Sequence, residues 1–501
     1  LLPASRIHSS YIRFISELLQ QEYEPCFLRQ FYSDLIHWVS AVDLSQTTSL
    51  VQHRYSANPK GRKPRDPADL LRSLLLMTKL HVVSIDDWVY KLRTIPVYAI
   101  LSGFPKDNTP GVGTFYDFFR RLWLSSRPHK TGRNKRPLRK PREKGKKNEK
   151  LDPKNPKITE KLVARVLRNA GSIHYAPKEH DLLQQLFQTQ FVLSSATKGL
   201  LGDTEALSVI GDGTPVLTGA RSFGKFLCEC RKSGNWKCGC NRQFSDPDAN
   251  WGWDSYREKY YFGRTLYVFC AADSPHDLPI YLRFSRASQH DSVSWICGYQ
   301  ELRHWYPQWK LGEVILDSAH DSLPIYTLLE HDDVCAIIDL NLRRSGKLVY
   351  NDLTIGKDGV PICPIGRKMI HWGKMAKSNR RKWRCPAKCG DWVCETPCSP
   401  SEYGRTFYTS TGDNPRLFPR IRRDSKEWRA SYIKRTCVER CNKRQKIDYK
   451  LEDSKGRSSR HWTVRTTLIA MCQHADAWLE VAKKNRQLPT VPDWLEIPNA
   501  A

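Results

Sequence analysis

Through most of residues 1 to about 125, apolar positions recur every three or four residues, and that period predicts helices. In RDPADLLRSLLLMTKLHVV, the residues Leu70, Leu71, Leu74, Leu75 and Met77 mark a buried helical face, with Pro67 suited to a first turn. SIDDWVYKLRTIPVYAILSGF follows, with Ser84 as a candidate N-cap. In TPGVGTFYDFFRRLW, Phe115, Phe118, Phe119 and Leu122 repeat at helical spacing beside Arg120 and Arg121. Plain helical core is the ordinary reading of those aromatics. From about residue 205 the pattern changes to short apolar runs, which predict strands. ALSVI (206–210) stops at Gly211-Asp212-Gly213-Thr214. RTLYVFCAAD (264–273) and PIYLRFSRAS (279–288) are two further strands around the turn SPHDLP. DSVSWICGYQELRHW fits a helix, GEVILDSAHDS (312–322) gives a buried strand ending at Asp317, and CAIIDLN (335–341) follows a short helical piece.

The resulting order is strand–strand–strand–helix–strand–helix–strand, which is that of an RNase H-like mixed α/β sheet flanked by helices. The expected layout has a helical domain over 1–125 and a basic linker over 126–165. The first part of the sheet-bearing core covers 166–341, with a cysteine insertion at about 225–250. A cysteine-rich, β-rich insertion follows over 342–430, and the last helices of the core occupy 431–501. The stretch 127–161 holds 15 Lys or Arg against four Asp or Glu, five prolines and almost nothing apolar. It cannot bury a core, so a flexible segment is expected. Contact with phosphates through Arg133, Lys135, Arg136, Arg139 and Lys140 is the functional reading, and a solubilising tail the ordinary one.

Charge sharpens the picture. A formal net charge of +29 over 501 residues exceeds what solubility requires and is the footprint of a polyanion partner, nucleic acid by default. No apolar run approaches the roughly 18–20 residues that span a bilayer, so no membrane partner is expected. The opening LLPASRIHSSYIRFISELL lacks a basic-then-apolar signal layout, and a cytoplasmic, nucleoid-associated chain is expected.

The 16 cysteines include two close quartets. Cys228, Cys230, Cys238 and Cys240 form C-x-C-x7-C-x-C. Cys385, Cys389, Cys394 and Cys398 form C-x3-C-x4-C-x3-C. Such clusters in an intracellular chain suit structural zinc better than disulfides, and more so in the second quartet; reduced, partly buried cysteine is the alternative. Trp251 and Trp253 in ANWGWDSY are expected to be packed, with base stacking as the rarer role.

Tyr432, Arg435, Glu439 and Lys446 stand at offsets 0, +3, +7 and +14 in SYIKRTCVERCNKRQKIDYK. On one α-helix they would share a stripe about 60° wide. An ion-paired helix face is the ordinary alternative. This spacing resembles the Y-(2)-R-(3)-E-(6)-K signature of DDE transposases from bacterial insertion sequences, and GDGTPV, ILDSAHDS and SQHDS (288–292) are similar to further motifs of that group. The series from a basic GRKP through a Leu-rich helix to TFYDFFRR, residues 60 to 122, looks like its DNA-binding region. The resemblance implies an RNase H-like catalytic core with Asp212, Asp317 and Glu439 as the triad. Asp317 is preferred to Asp321 because the apolar strand ends directly at it. Three carboxylates suit two Mg²⁺ ions, with Mn²⁺ able to substitute. Asp212 would bridge the ions, while Asp317 and Glu439 would hold one each. Tyr432, Arg435 and Lys446 would grip phosphates. The partners implied are double-stranded DNA, as element ends and target, and a second copy of the chain in a homodimer or larger assembly. A decayed, non-catalytic DNA-binding relative is the rival reading, and a nuclease without strand transfer a second.

Overall fold

The computed structural model describes residues 2, 6–56, 58, 63–124, 157–169, 171–342, 346–375, 378, 380–390, 392–486 and 494. The first seven helices are α1 (His8–Glu22), α2 (Pro25–Ser40), α3 (Thr47–Val51), α4 (Pro67–Lys79), α5 (Ile85–Thr94), α6 (Pro96–Ser102) and α7 (Val112–Leu122). Helix α4 starts where the sequence expects: Asp66 caps it by accepting from the Ala68 N–H at 2.9 Å, and Pro67 occupies the first turn. It is buried on nearly every side, from Pro67 through Thr78. The polar pair Asp69–Arg72 survives there because its members bond each other at 2.8 Å and Arg72 lies 3.6 Å over the Tyr11 ring.

After α8 (Ile158–Arg168), α9 (Asp181–Phe187) and α10 (Leu193–Thr197) comes the central sheet. Its strands are β1 (Leu207–Leu217), β4 (Asn250–Asp254), β5 (Lys259–Ala271), β6 (Pro279–Arg286), β7 (Leu311–Leu316) and β8 (Cys335–Ile338). A small ribbon, β2 (Lys225–Phe226) with β3 (Arg242–Gln243), interrupts it. Strands β1 and β5 are antiparallel, and β4 and β6 lie end to end along the other edge of β5. On the opposite side β1, β7 and β8 run parallel. Parallel neighbours need crossover connections, supplied by α11 (Asp291–Trp305) between β6 and β7 and α12 (Leu323–His331) between β7 and β8.

Residues 348–409 form two small three-stranded sheets: β9 (Leu348–Tyr350), β10 (Leu353–Ile355) and β11 (Pro361–Ile362), then β12 (Ile370–Met375), β13 (Arg380–Arg384) and β14 (Thr406–Thr409). Helices α13 (Lys426–Ile433), α14 (Thr436–Lys443) and α15 (Ser459–Lys484) close the fold. Helix α15 joins its two halves. Cys472 Sγ reaches Leu75 O of α4 at 3.6 Å, while His474 Nε2 donates to Pro279 O of β6 at 2.8 Å. One continuous buried cluster therefore runs from Tyr11 to Leu479. Among the described residues, no helix is long and apolar enough to cross a membrane.

Two expectations need correction here. Strand β1 does not stop at Ile210 but continues to Leu217, which puts Asp212 mid-strand. Its parallel partner β7 pairs only as far as Ile210, whereas β5 pairs along the full length to Leu217. Residues 158–165, assigned to the linker, belong to α8, whose Val163 and Val166 are buried. The linker arginines and lysines Arg133, Lys135, Arg136, Arg139 and Lys140 lie outside the described residues.

Candidate active site

Ile210 of β1 pairs with Ile315 of β7, and Asp212 pairs with Val268 of β5. Alternation along a strand then gives Ile210, Asp212 and Ile315 one sheet face, which Asp317 continues just past the end of β7. Gly211 and Gly213 flank Asp212, and each admits a side chain from the other face. A Cβ at 211 would stand 2.7 Å from the Tyr267 hydroxyl, and one at 213 would stand 2.3 Å from Asp291 Oδ1. Asp291, the first residue of α11, thereby reaches the neighbourhood of Asp212.

The electrostatics follow from this crowding. Burial, then the negative charges of Asp317 and Asp291, push Asp212 up to about 7. Asp291 is also raised, chiefly by burial. Burial raises Asp317 too, but the hydrogen bond and charge of His320, the Ala319 N–H and the field of Arg435 outweigh it and hold it below the usual carboxylate range. His320 is fully buried: Nδ1 lies 2.5 Å from Asp317 Oδ1 and Nε2 lies 2.8 Å from the Tyr267 hydroxyl. Burial alone would lower its pKa, and Asp317, Asp291 and Asp212 raise it instead. An all-oxygen donor set of carboxylates fits a hard divalent cation.

Asp321 has another role. Its side chain is wholly buried, with Oδ2 taking Arg416 at 2.6 Å and the Asn341 N–H at 2.9 Å, and Oδ1 taking Tyr326 at 3.1 Å. Asp317, 36% exposed, keeps its carboxylate open.

The segment 432–446 is not one helix. Helix α13 ends at Ile433, Lys434 and Arg435 form a tight turn, α14 runs from Thr436 to Lys443, and Arg444–Asp448 wind as a π-turn. The 60° stripe expected of Tyr432, Arg435, Glu439 and Lys446 is therefore broken. A π-turn takes an extra residue and rotates later positions off a 3.6-residue period. Even so, Tyr432, Arg435 and Lys446 lie in the field of the carboxylates. Arg435 Nη2 donates to Glu439 Oε1 at 2.7 Å. Burial would lower the Arg435 pKa, but the negative charges of Glu439 and Asp212 raise it. Lys446 is lowered by burial against the opposing charges of Glu452, then Asp254 and Asp212, and donates to Pro215 O of β1 at 2.6 Å. Tyr432 stacks on Trp428 at 4.5 Å, and burial pushes it up to about 12. Glu439 itself is half exposed.

Among the described residues, Cys228, Cys230, Cys238 and Cys240 are the group of three or more metal-ligating side chains whose ligand atoms all lie within 4.8 Å of one another. Glu439 with Asp212 and Asp317 does not close that tightly, and neither does the second cysteine quartet. Cys228 and Cys238 are 3.5 Å apart, and Cys230 and Cys240 are 3.6 Å apart. Tetrahedral zinc–thiolate geometry needs about 3.8 Å between sulfurs, so the first quartet fits zinc. In the second region, Cys398 feels Cys385 and Cys394, and also Cys363, which belongs to neither quartet.

Arg120 pairs with Asp117, and Arg121 lies 4.5 Å over the Tyr55 ring, both at the end of α7. Trp251 and Trp253, expected to be packed, are about half exposed on β4. Their alternation with buried Asn250, Gly252 and Asp254 puts them on the open side of an edge hairpin. Sequence reasoning missed His320, Tyr267 and Asp291. The signal available was Ser318-Ala319-His320 directly after Asp317, and the paired glycines around Asp212.

No family model and no curated protein matches the sequence. Among solved structures the chain is similar to a piggyBac transposase, captured by cryo-EM in a synaptic complex with hairpin DNA. The TM-score is 0.37 and the identity 11%, over 95% of this chain and 79% of that one. So distant a likeness carries no argument about what this chain does.

Proposed function

We propose that the chain is a divalent-cation-dependent DDE transposase with an RNase H-like core, of the branch that carries the YREK signature. The observation that carries this reading is the joint position of Asp212 and Asp317. They share one face where antiparallel and parallel halves of the sheet meet at β1, with Arg435 and Lys446 in the field of Asp212 and Glu439 bonded to Arg435. The strand order 3-2-1-4-5, counted along the core with β4 set aside, supports the same reading.

Asp212, Asp317 and Glu439 would hold two Mg²⁺ ions, or Mn²⁺ in their place. Bound there, the ions would activate water or a 3′-hydroxyl and stabilise the leaving oxygen of an in-line phosphodiester displacement. Arg435 neutralises Glu439 and adds positive charge where a phosphate would sit. Lys446, anchored on β1 through Pro215 O, would meet a phosphate from the same side. The partners are double-stranded DNA, as element ends and as target, and a second copy of the chain to pair two ends. The excess of cations supplies sequence-independent affinity, and Arg120 and Arg121 present charge from the helical region. Structural zinc on the first quartet would staple a ribbon whose two-residue strands are too short to stand alone.

The test uses linear DNA bearing the element's terminal repeats, with Mg²⁺. Expected products are a nick that exposes a 3′-hydroxyl at the repeat and its joining to a second duplex. Repeat binding with neither product, by wild-type chain, would instead identify a DNA-binding protein that has lost catalysis. Hydrolysis without joining would identify a nuclease.

A further inference from the structure

We infer that His320, braced by Tyr267, is a positioning residue that decides which oxygen of Asp317 is presented to a divalent cation. The inference rests on the proposed role of Asp317 as a cation ligand.

Asp317 Oδ1 accepts from His320 Nδ1 at 2.5 Å and from the Ala319 N–H at 3.1 Å. Both bonds lie on the same oxygen, so the geometry reserves Oδ2 for a ligand and favours one-oxygen coordination. A carboxylate free to rotate about χ2 would offer either oxygen, or both at once.

The brace lies behind the ring. His320 is wholly buried, and its Nε2 meets the hydroxyl of Tyr267, which is also wholly buried. Tyr267 comes from β5, on the sheet face opposite Asp212, and its hydroxyl reaches the histidine by crossing β1 at Gly211. Any Cβ at 211 would stand 2.7 Å from that hydroxyl and 2.8 Å from Cε1 of the ring. The glycine preceding the first carboxylate is thus a condition for orienting the second. With both nitrogens engaged, the imidazole can neither tilt nor flip without losing a buried hydrogen bond. Groups that orient a metal ligand typically alter metal affinity by about 10–100-fold when removed.

The test is Mn²⁺ binding by the full-length, DNA-free chain, followed from the EPR signal of free Mn²⁺, with metal-free melting temperature measured in parallel. Asp317→Asn should abolish the site. His320→Ala should weaken Mn²⁺ binding by about tenfold or more. In His320→Asn the amide nitrogen stands where Nδ1 stood, so most of the affinity should return. Tyr267→Phe keeps the ring's volume and should weaken binding several-fold without loss of fold, which keeps the test sound if His320→Ala does not fold. Affinity that falls with Asp317→Asn but is unchanged in Tyr267→Phe, with His320→Ala also unchanged or unfolded, overturns the inference alone. If Asp317→Asn itself binds Mn²⁺ like wild type, the cation-site reading fails and the inference with it.

Discussion

Asp321 commits both carboxylate oxygens to the fold, through Tyr326 on one side and Arg416 and the Asn341 N–H on the other. Asp317, four residues earlier, keeps one oxygen open. The two should respond differently to substitution. Asp321→Ala leaves the Arg416 guanidinium without its buried partner and should cost about 3–5 kcal/mol in urea unfolding. Asp317→Asn keeps an acceptor for His320 and the Ala319 N–H but gives up the charge that they stabilise, so it should cost stability, though less than Asp321→Ala. Equal losses would mean that Asp317 is also a structural residue. At this scale the sequence was informative where chemistry forces position: an apolar run ending at an aspartate located Asp317. It was silent on His320, because a histidine three residues on acquires meaning only when β5 delivers a tyrosine to its far nitrogen. Gly211 and Gly213 looked like the end of a strand. In the fold they are places where Tyr267 and Asp291 approach, and β1 continues through them because β5 pairs along it.

Periodic reading works for an element only while its geometry stays uniform. It located α4, α11 and β7 well, because their apolar positions face one neighbour or are covered all round. It misread 432–446, where a tight turn and a π-turn each disturb the 3.6-residue count, and hydrophobicity carries no mark of either. It also favoured the second cysteine quartet, since spacing alone cannot show which loops fold back. The ribbon β2–β3 returns the chain so that Cys238 and Cys240 meet Cys228 and Cys230. Metal analysis should therefore find zinc that survives Cys385→Ser/Cys389→Ser and is lost in Cys228→Ser/Cys238→Ser. Chelation should expose 225–243 to protease while the central sheet stays folded. A zinc content insensitive to Cys228 and Cys238 would refute the assignment.

On the scale of the whole molecule, α15 ties the helical region to the sheet, and one of its ties is sensitive to pH. His474 is fully buried, donates from Nε2 to Pro279 O, and lies at Nδ1 2.7 Å from Ser195 Oγ, which also takes the Trp478 N–H. In the neutral ring Nδ1 takes the Ser195 hydroxyl proton, and burial lowers its pKa to about 4. Since the unfolded chain binds this proton near 6.5, the stabilisation is complete above about 6.5 and is lost progressively as pH falls towards 4. Wild type should lose stability over that window more steeply than His474→Gln; parallel curves would show that the buried ring does not titrate as argued. That a single buried cluster would join residues 8–122 to the sheet was not legible in the sequence, since each amphipathic stripe specifies a covered face without naming its cover.

The central claim is that Asp317 belongs to a cation-dependent phosphodiester site while Asp321 does not. The most direct measurement is cleavage of repeat-bearing DNA by wild type, Asp317→Asn and Asp321→Asn in Mg²⁺, with DNA binding measured on the same samples. Asp317→Asn should bind DNA like wild type and lose cleavage by several orders of magnitude, whereas folded Asp321→Asn should still cleave. Normal cleavage by Asp317→Asn, or cleavage by wild type without a divalent cation, would contradict that claim.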